Sequence, residues 1–121
     1  MILKTIEGIK AMTAKELAKG LGAEILAMSD RGAAAEVDGA YTGDLLSYVM
    51  GNAEHGNAWV TIMTNINIIA VALLVGTSCI IVCDGSEIDD NVVSAAKVRD
   101  VTLLRCKTGA YETCASISRL I

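Results

Sequence analysis

Between His55 and Asp84 the chain runs for 28 residues without a charged side chain. A stretch of that kind cannot form a solvated surface element, so it lies in a protein core or in a membrane. A membrane helix needs about 20 predominantly apolar residues. Here Thr61, Thr64, Asn65 and Asn67 occupy the first half, and Gly76-Thr77-Ser78 breaks the second. The run therefore reads as strand, helix, strand. Residues 59–63 are rich in β-formers. Residues 66–75 are apolar nearly all round, as in a helix buried on several sides. Residues 79–83 form a continuous apolar run between turn signals, the pattern of a central parallel strand.

The alternation continues to the C-terminus. Asp84-Gly85-Ser86 is a turn, and Ser86 is placed to cap a helix whose first turn carries Glu87, Asp89 and Asp90. Ile88, Val92, Val93 and Ala96 share one face of that helix. Residues 101–106 read as a strand and 108–120 as a last helix. The second half is thus β-α-β-α-β-α, which implies right-handed crossovers and parallel pairing of 59–63, 79–83 and 101–106.

The first half is less regular. Thr13 and Glu16 fit a capping box that opens a short helix to Gly20. Residues 24–28 read as a strand, 29–35 as a loop, 36–41 as a short strand and 43–51 as a helix with Leu45, Leu46, Val49 and Met50 inward. With 121 residues, 53% hydrophobic and 20% charged, the chain has material for one α/β domain, 1–121, with a mainly parallel sheet flanked by helices. There is no Phe and no Pro, so aliphatic side chains fill the core. A net charge of −4 gives no electrostatic reason to hold nucleic acid or an anionic membrane. No apolar leader segment precedes the charged residues that begin at Glu7, and a cytoplasmic location with reduced thiols is expected.

A set of motifs narrows the reading. Gly39-Ala-Tyr-Thr-Gly-Asp-Leu-Leu-Ser47, Ala58-Trp-Val-Thr-Ile62, Asn67-Ile-Ile-Ala-Val-Ala72 and Cys79-Ile-Ile-Val-Cys-Asp-Gly85 follow in order. Together with the opening helix and strand they resemble the DRTGG domain family, in particular its short stand-alone members, over nearly the whole chain. The resemblance implies a fold like that of the N-terminal domain of HPr kinase/phosphorylase. It also implies a regulatory or accessory role, association in pairs and a metabolic or redox enzyme as partner. The sequence departs from the family pattern at two places. Thr64-Asn65 stands where longer members carry an Asp-Arg pair, and Cys83-Asp84-Gly85 stands where they often carry a Thr-Gly-Gly turn. No phosphate-binding loop of the G-x-x-x-x-G-K-[ST] type occurs.

No catalytic constellation emerges. The cysteines, Cys79, Cys83, Cys106 and Cys114, include no C-x-x-C pair. On one strand, Cys79 and Cys83 would lie about 13 Å apart at ~3.3 Å per residue, too far to share a zinc. They read as packed thiols, with no metal or cofactor implied. His55 reads as a solvated loop residue, and Ser47 and Ser78 have no base at a recognisable spacing. The acids at 84, 87, 89 and 90 read as helix-dipole complements. The remaining candidate is a polar rim at the C-terminal ends of the parallel strands, where such sheets bind ligands. Each strand end should lead into a helix N-terminus with free amides. Thr64, Asn65, Asp84, Gly85, Ser86, Lys107 and Thr108 are the candidate ligand contacts.

These readings point to a non-catalytic regulatory or accessory module that oligomerises, senses a small ligand or docks on an enzyme. The alternative is a small enzyme acting at the rim. Because the helix at 66–75 has no face suited to water, a homodimer is expected, with Tyr41, Tyr48, Met50, Trp59 and Met63 as anchors.

Overall fold

The computed structural model describes residues 11–121. The apolar run folds into two adjacent central strands joined by a helix: β3 (Asn57–Thr61), α4 (Asn67–Val75) and β4 (Cys79–Val82). Every residue of both strands is buried, because helices cover both faces of the sheet. Before them come α1 (Ala14–Leu21), β1 (Glu24–Ala27), α2 (Asp30–Ala34), β2 (Gly39–Thr42) and α3 (Leu46–Asn52). After them come α5 (Asp90–Val98), β5 (Leu103–Arg105) and α6 (Ala110–Leu120).

The five strands lie in the order β1-β5-β4-β3-β2. β2, β3, β4 and β5 are parallel neighbours, and β1 joins β5 antiparallel. The expected neighbours at 59–63, 79–83 and 101–106 are therefore adjacent and parallel. The fold is the α/β sandwich that the alternation predicts. Alternating side chains divide the core into two layers. Trp59, Ile80, Val82 and Leu103 pack with Val49, Ile68, Ile69, Val92 and Ala96 of α3, α4 and α5. Ala58, Val60, Ile81, Leu104 and three cysteines pack with Leu17 and Ile117 of α1 and α6. No helix among the described residues is long and apolar enough to cross a membrane.

Local chemistry explains most boundaries. The capping box is present: Glu16 N–H donates to Thr13 Oγ1 at 3.2 Å, and Thr13 N–H to Glu16 Oε1 at 2.9 Å. β3 stops at Thr61, two residues before the expected end. The next N–H groups are claimed by side chains, Ile62 by Asp44 Oδ1 and Met63 by Thr61 Oγ1.

Three sequence readings need correction. The stretch expected as a loop at 29–35 contains α2, begun by Ser29, whose hydroxyl accepts the Gly32 N–H at 2.9 Å. The expected strand at 36–41 narrows to Gly39–Thr42, because the Val37 N–H goes to Met12 and the Asp38 N–H to Gly56. The helix expected from Ser86 begins at Asp90. Asp84 and Gly85 both adopt left-handed φ, 63° and 62°, and turn Ser86 back so that its hydroxyl donates to Cys83 O.

Trp59 is fully buried and donates from Nε1 to Gly43 O at 3.0 Å, so it is a core residue and not an interface anchor. Tyr41 and Met63 are half-buried against the same core, which leaves Tyr48 and Met50 exposed. The exposed side of α4 is apolar: Ile66, Ala70, Leu73 and Leu74 lie outward at helical spacing, and Leu74 is 72% exposed.

Candidate functional site

The strand-end rim is built by two short connections that meet. The turn after β4 is Cys83-Asp84-Gly85-Ser86, closed by a weak Ser86 N–H to Cys83 O bond at 3.4 Å. Both central residues lie at positive φ, the requirement of a type I′ turn and the reason an Asp-Gly pair occurs there. This turn reaches across to the segment after β5. Asp84 N–H donates to Thr108 O and Gly85 N–H to Cys106 O, each at 2.8 Å. Asp84, Gly85, Lys107 and Thr108 thus form one backbone-linked corner.

The charges at this corner are of mixed sign. Lys107 is exposed. A Cβ placed on Gly109, the residue that begins α6, would fall 2.8 Å from Glu112 Oε1 and 3.4 Å from Asp84 Oδ1. Two carboxylates therefore already attend the positive end of α6. That arrangement disfavours a multiply charged anion and suits a polar ligand with donor groups. Thr108 is less available than expected, because its hydroxyl is paired with Thr113 Oγ1 at 2.7 Å.

Thr64 and Asn65 lie beyond β3. Asn65 Oδ1 accepts the Asn67 N–H at 2.9 Å and so caps α4. No hydrogen bond among the described residues joins them to the Asp84–Thr108 corner. Only two of the three connections enter a helix directly, because residues 86–89 separate the Asp84-Gly85 turn from α5. Ser86 sits inside the turn, and its carbonyl accepts Arg105 Nη1 at 3.4 Å.

Asp44 is a rim residue that the sequence reading did not single out. It follows the motif Thr42-Gly43 and sets its carboxylate over the end of β3. Oδ1 accepts from Thr61 Oγ1 at 2.8 Å and from the Ile62 N–H at 2.9 Å. The signal was present, since a motif with Gly-Asp before a helix is a capping pattern, but its partner lies 17 residues away. Cys83 feels the charge of both Asp84 and Asp44. Burial pushes its thiol above the ordinary range, and both acids add to that. Its Sγ donates to Thr61 O at 3.4 Å. A protonated, fully buried thiol is not a nucleophile.

The other thiols are similar. Cys79 is pushed up to about 12 by burial, with Cys106 adding to the effect. Among the described residues no three His, Cys, Asp or Glu side chains come together in a metal-binding cluster. The rim also lacks a base paired with a nucleophile. His55 lies at the opposite edge of the sheet, against Gly76. A cleft of about 840 Å³ opens at that opposite edge, so this concavity and the strand-end rim are at different ends of the molecule.

The DRTGG domain matches residues 16–120 of the chain. A solved structure of the CBS and DRTGG domains of the regulatory region of Clostridium perfringens pyrophosphatase, complexed with the activator diadenosine tetraphosphate, shares the fold. It superimposes with a TM-score of 0.71 at 13% identity, over 87% of this chain and 45% of that one. The chain thus spans under half the length of that neighbour. No curated protein matches the chain.

Proposed function

The chain belongs to the DRTGG domain family, and on that premise we propose that it is a non-catalytic regulatory or accessory module. It pairs with a second copy of itself, senses a small polar ligand and modulates a metabolic or redox enzyme. The observation that carries this reading is the shared fold with a domain from the regulatory region of an enzyme. The rim supports it: its acids cap strand and helix ends, and its thiol is buried and protonated. Thr64, Asn65, Asp84, Gly85, Ser86, Lys107 and Thr108 remain the proposed ligand contacts, with the Asp84–Thr108 corner as the organised part.

Pairing follows from the outer side of α4. Ile66, Leu73 and Leu74 are exposed, as are Tyr48 and Met50 of α3, the helix that adjoins α4. Exposed apolar side chains on two adjoining helices suit an interaction surface. A two-fold contact of about 800 Å² per partner is the standard size for a stable interface.

The test is a chemical-shift map with adenosine, an uncharged polar molecule with donor groups, as the first probe, joined to a rate assay of an enzyme retained from native extract by the immobilised chain. Perturbation of the Asp84–Thr108 corner, and an enzyme whose rate changes when the chain is added, are the expected results. Turnover by the chain alone, abolished by substitution at Asp84 or Lys107, would establish the enzyme alternative instead.

A further inference from the structure

The cleft at the N-terminal edge of the sheet is formed by segments that precede β2, β3, β4 and β5. Its two ends differ in charge. At the β5 end lie Arg31 of α2 and Arg99 at the end of α5, and neither guanidinium has a hydrogen bond or ion pair among the described residues. The elements that carry them are tied together. Ser29 donates to Asp100 Oδ1 at 2.5 Å, and Gly32 approaches Thr102 so closely that a Cβ there would lie 2.5 Å from Thr102 Oγ1. Asp100 is thus already engaged, and among the described residues the two arginines have no anionic partner. At the other end stands Asp38, whose carboxylate lies 2.9 Å from where a Cβ on Gly56 would sit, at the start of β3. Its carboxylate and that of Glu36 are likewise unpaired among the described residues.

One hydroxyl between these ends, Thr77 Oγ1, is shielded from solvent and without a hydrogen-bond partner among the described residues. A buried hydroxyl without a partner is destabilising, and a ligand that bonds to it would relieve that cost. The volume falls in the range of small-molecule sites. The apolar part of the lining, Ala72, Leu73 and Val101, suits the body of an organic molecule.

We infer that this cleft binds a dipolar small molecule, with a carboxylate or phosphate at the Arg31–Arg99 end and an amine donor at the Asp38 end. From β5 to β3 is two strand spacings, so the charged groups of the ligand are roughly 10 Å apart. Planar guanidinium forks engage either anion in a bidentate manner. A short zwitterionic peptide and a nucleoside monophosphate both offer this chemistry. The inference is independent of the strand-end rim.

The experiment is an amide shift map of the full chain with tri-alanine, with end-blocked tri-alanine and with AMP. Tri-alanine or AMP should perturb Arg31, Thr102 and Asp38, and whichever does so identifies the source. Arg99→Gln should weaken that binding on the order of tenfold. Thr77→Val should leave the melting temperature unchanged or higher while weakening binding, a split that a purely structural role would not produce. Equal binding of the end-blocked peptide, or no perturbation of these amides by either probe at millimolar concentration, would overturn the inference.

Discussion

Replacing Asp44 by alanine removes one carboxylate that serves two donors, the Thr61 hydroxyl and the Ile62 backbone N–H. The Ile62 N–H lies on an exposed residue and recovers a water. The Thr61 hydroxyl does not, because Thr61 is 1% exposed. Hydrogen bonds to charged groups contribute about 1.5–3 kcal/mol, and a stranded buried donor costs about 1–3 kcal/mol. Counting the Thr61 bond in full and discounting the solvated one, Asp44→Ala should destabilise the fold by about 2 kcal/mol. An unfolding entropy of ~2.1 cal/mol/K per residue gives about 0.25 kcal/mol/K for this chain, so the melting temperature should fall by about 8 °C. Asp44→Asn keeps an acceptor oxygen and should lose about half as much. A double-mutant cycle with Thr61→Val should return a coupling of about 1 kcal/mol or more. Calorimetry of the four proteins decides the matter. A melting temperature for Asp44→Ala within about 2 °C of the parent, or an asparagine variant as damaged as the alanine, would show that the carboxylate does not hold this strand end.

Other outcomes follow from the same structure. Gly85→Ala meets nothing closer than Lys107 Cα at 3.9 Å but must hold φ at 62°, so urea melts should show a loss of about 1–2 kcal/mol from strain alone. Cys79 has a thiol raised from its ordinary value near 9 to about 12, so the native state keeps a proton that the unfolded state releases. Stability from this group is complete below about pH 9 and is lost as pH climbs toward 12, up to about 4 kcal/mol, and Cys79→Ala should flatten that alkaline decline in denaturant titrations. In native protein at neutral pH an alkylating reagent should modify Cys114, which is half-buried, well before the three buried thiols, as peptide mass mapping would reveal. Leu74→Glu should convert a dimer to a monomer by light scattering with the fold retained, and a parent that is already monomeric across a dilution series would refute the pairing.

The parts of the fold that were legible share one cause. β3 and β4 are buried throughout, so their residue types report burial directly, and Gly76 at φ 82° marks where α4 stops; α4 itself buries only Ile68, Ile69, Val71 and Ala72, so its apolar outer side overstated its burial. Where local and distant chemistry compete, the sequence is ambiguous. Ser86 looks like a cap, but the left-handed Asp84-Gly85 pair turns it back toward Cys83. Helix α2 buries no residue, so it carries no apolar period to read and rests on its Ser29 cap. Trp59 could be an anchor or a core residue until Gly43 supplies an acceptor for its indole. At the candidate site, the link between Asp84 and Thr108 depends on backbone groups, which leave no mark on residue type. The opposite cleft is assembled from the starts of four strands, so none of its walls forms a local motif.

The antiparallel edge strand has a consequence for synthesis. Among the described residues β1 pairs with β5 alone, and the ion pair between Glu24 and Arg105 spans 81 positions. At about 5–20 residues per second, the ribosome leaves β1 without that partner for roughly 4–16 seconds. During this interval Ile25 and the free amides of β1 form an open template, and the parallel strands can assemble before it docks. Synthesis of β5 therefore closes the open edge of β1, which confines this hazard to the interval between the two strands.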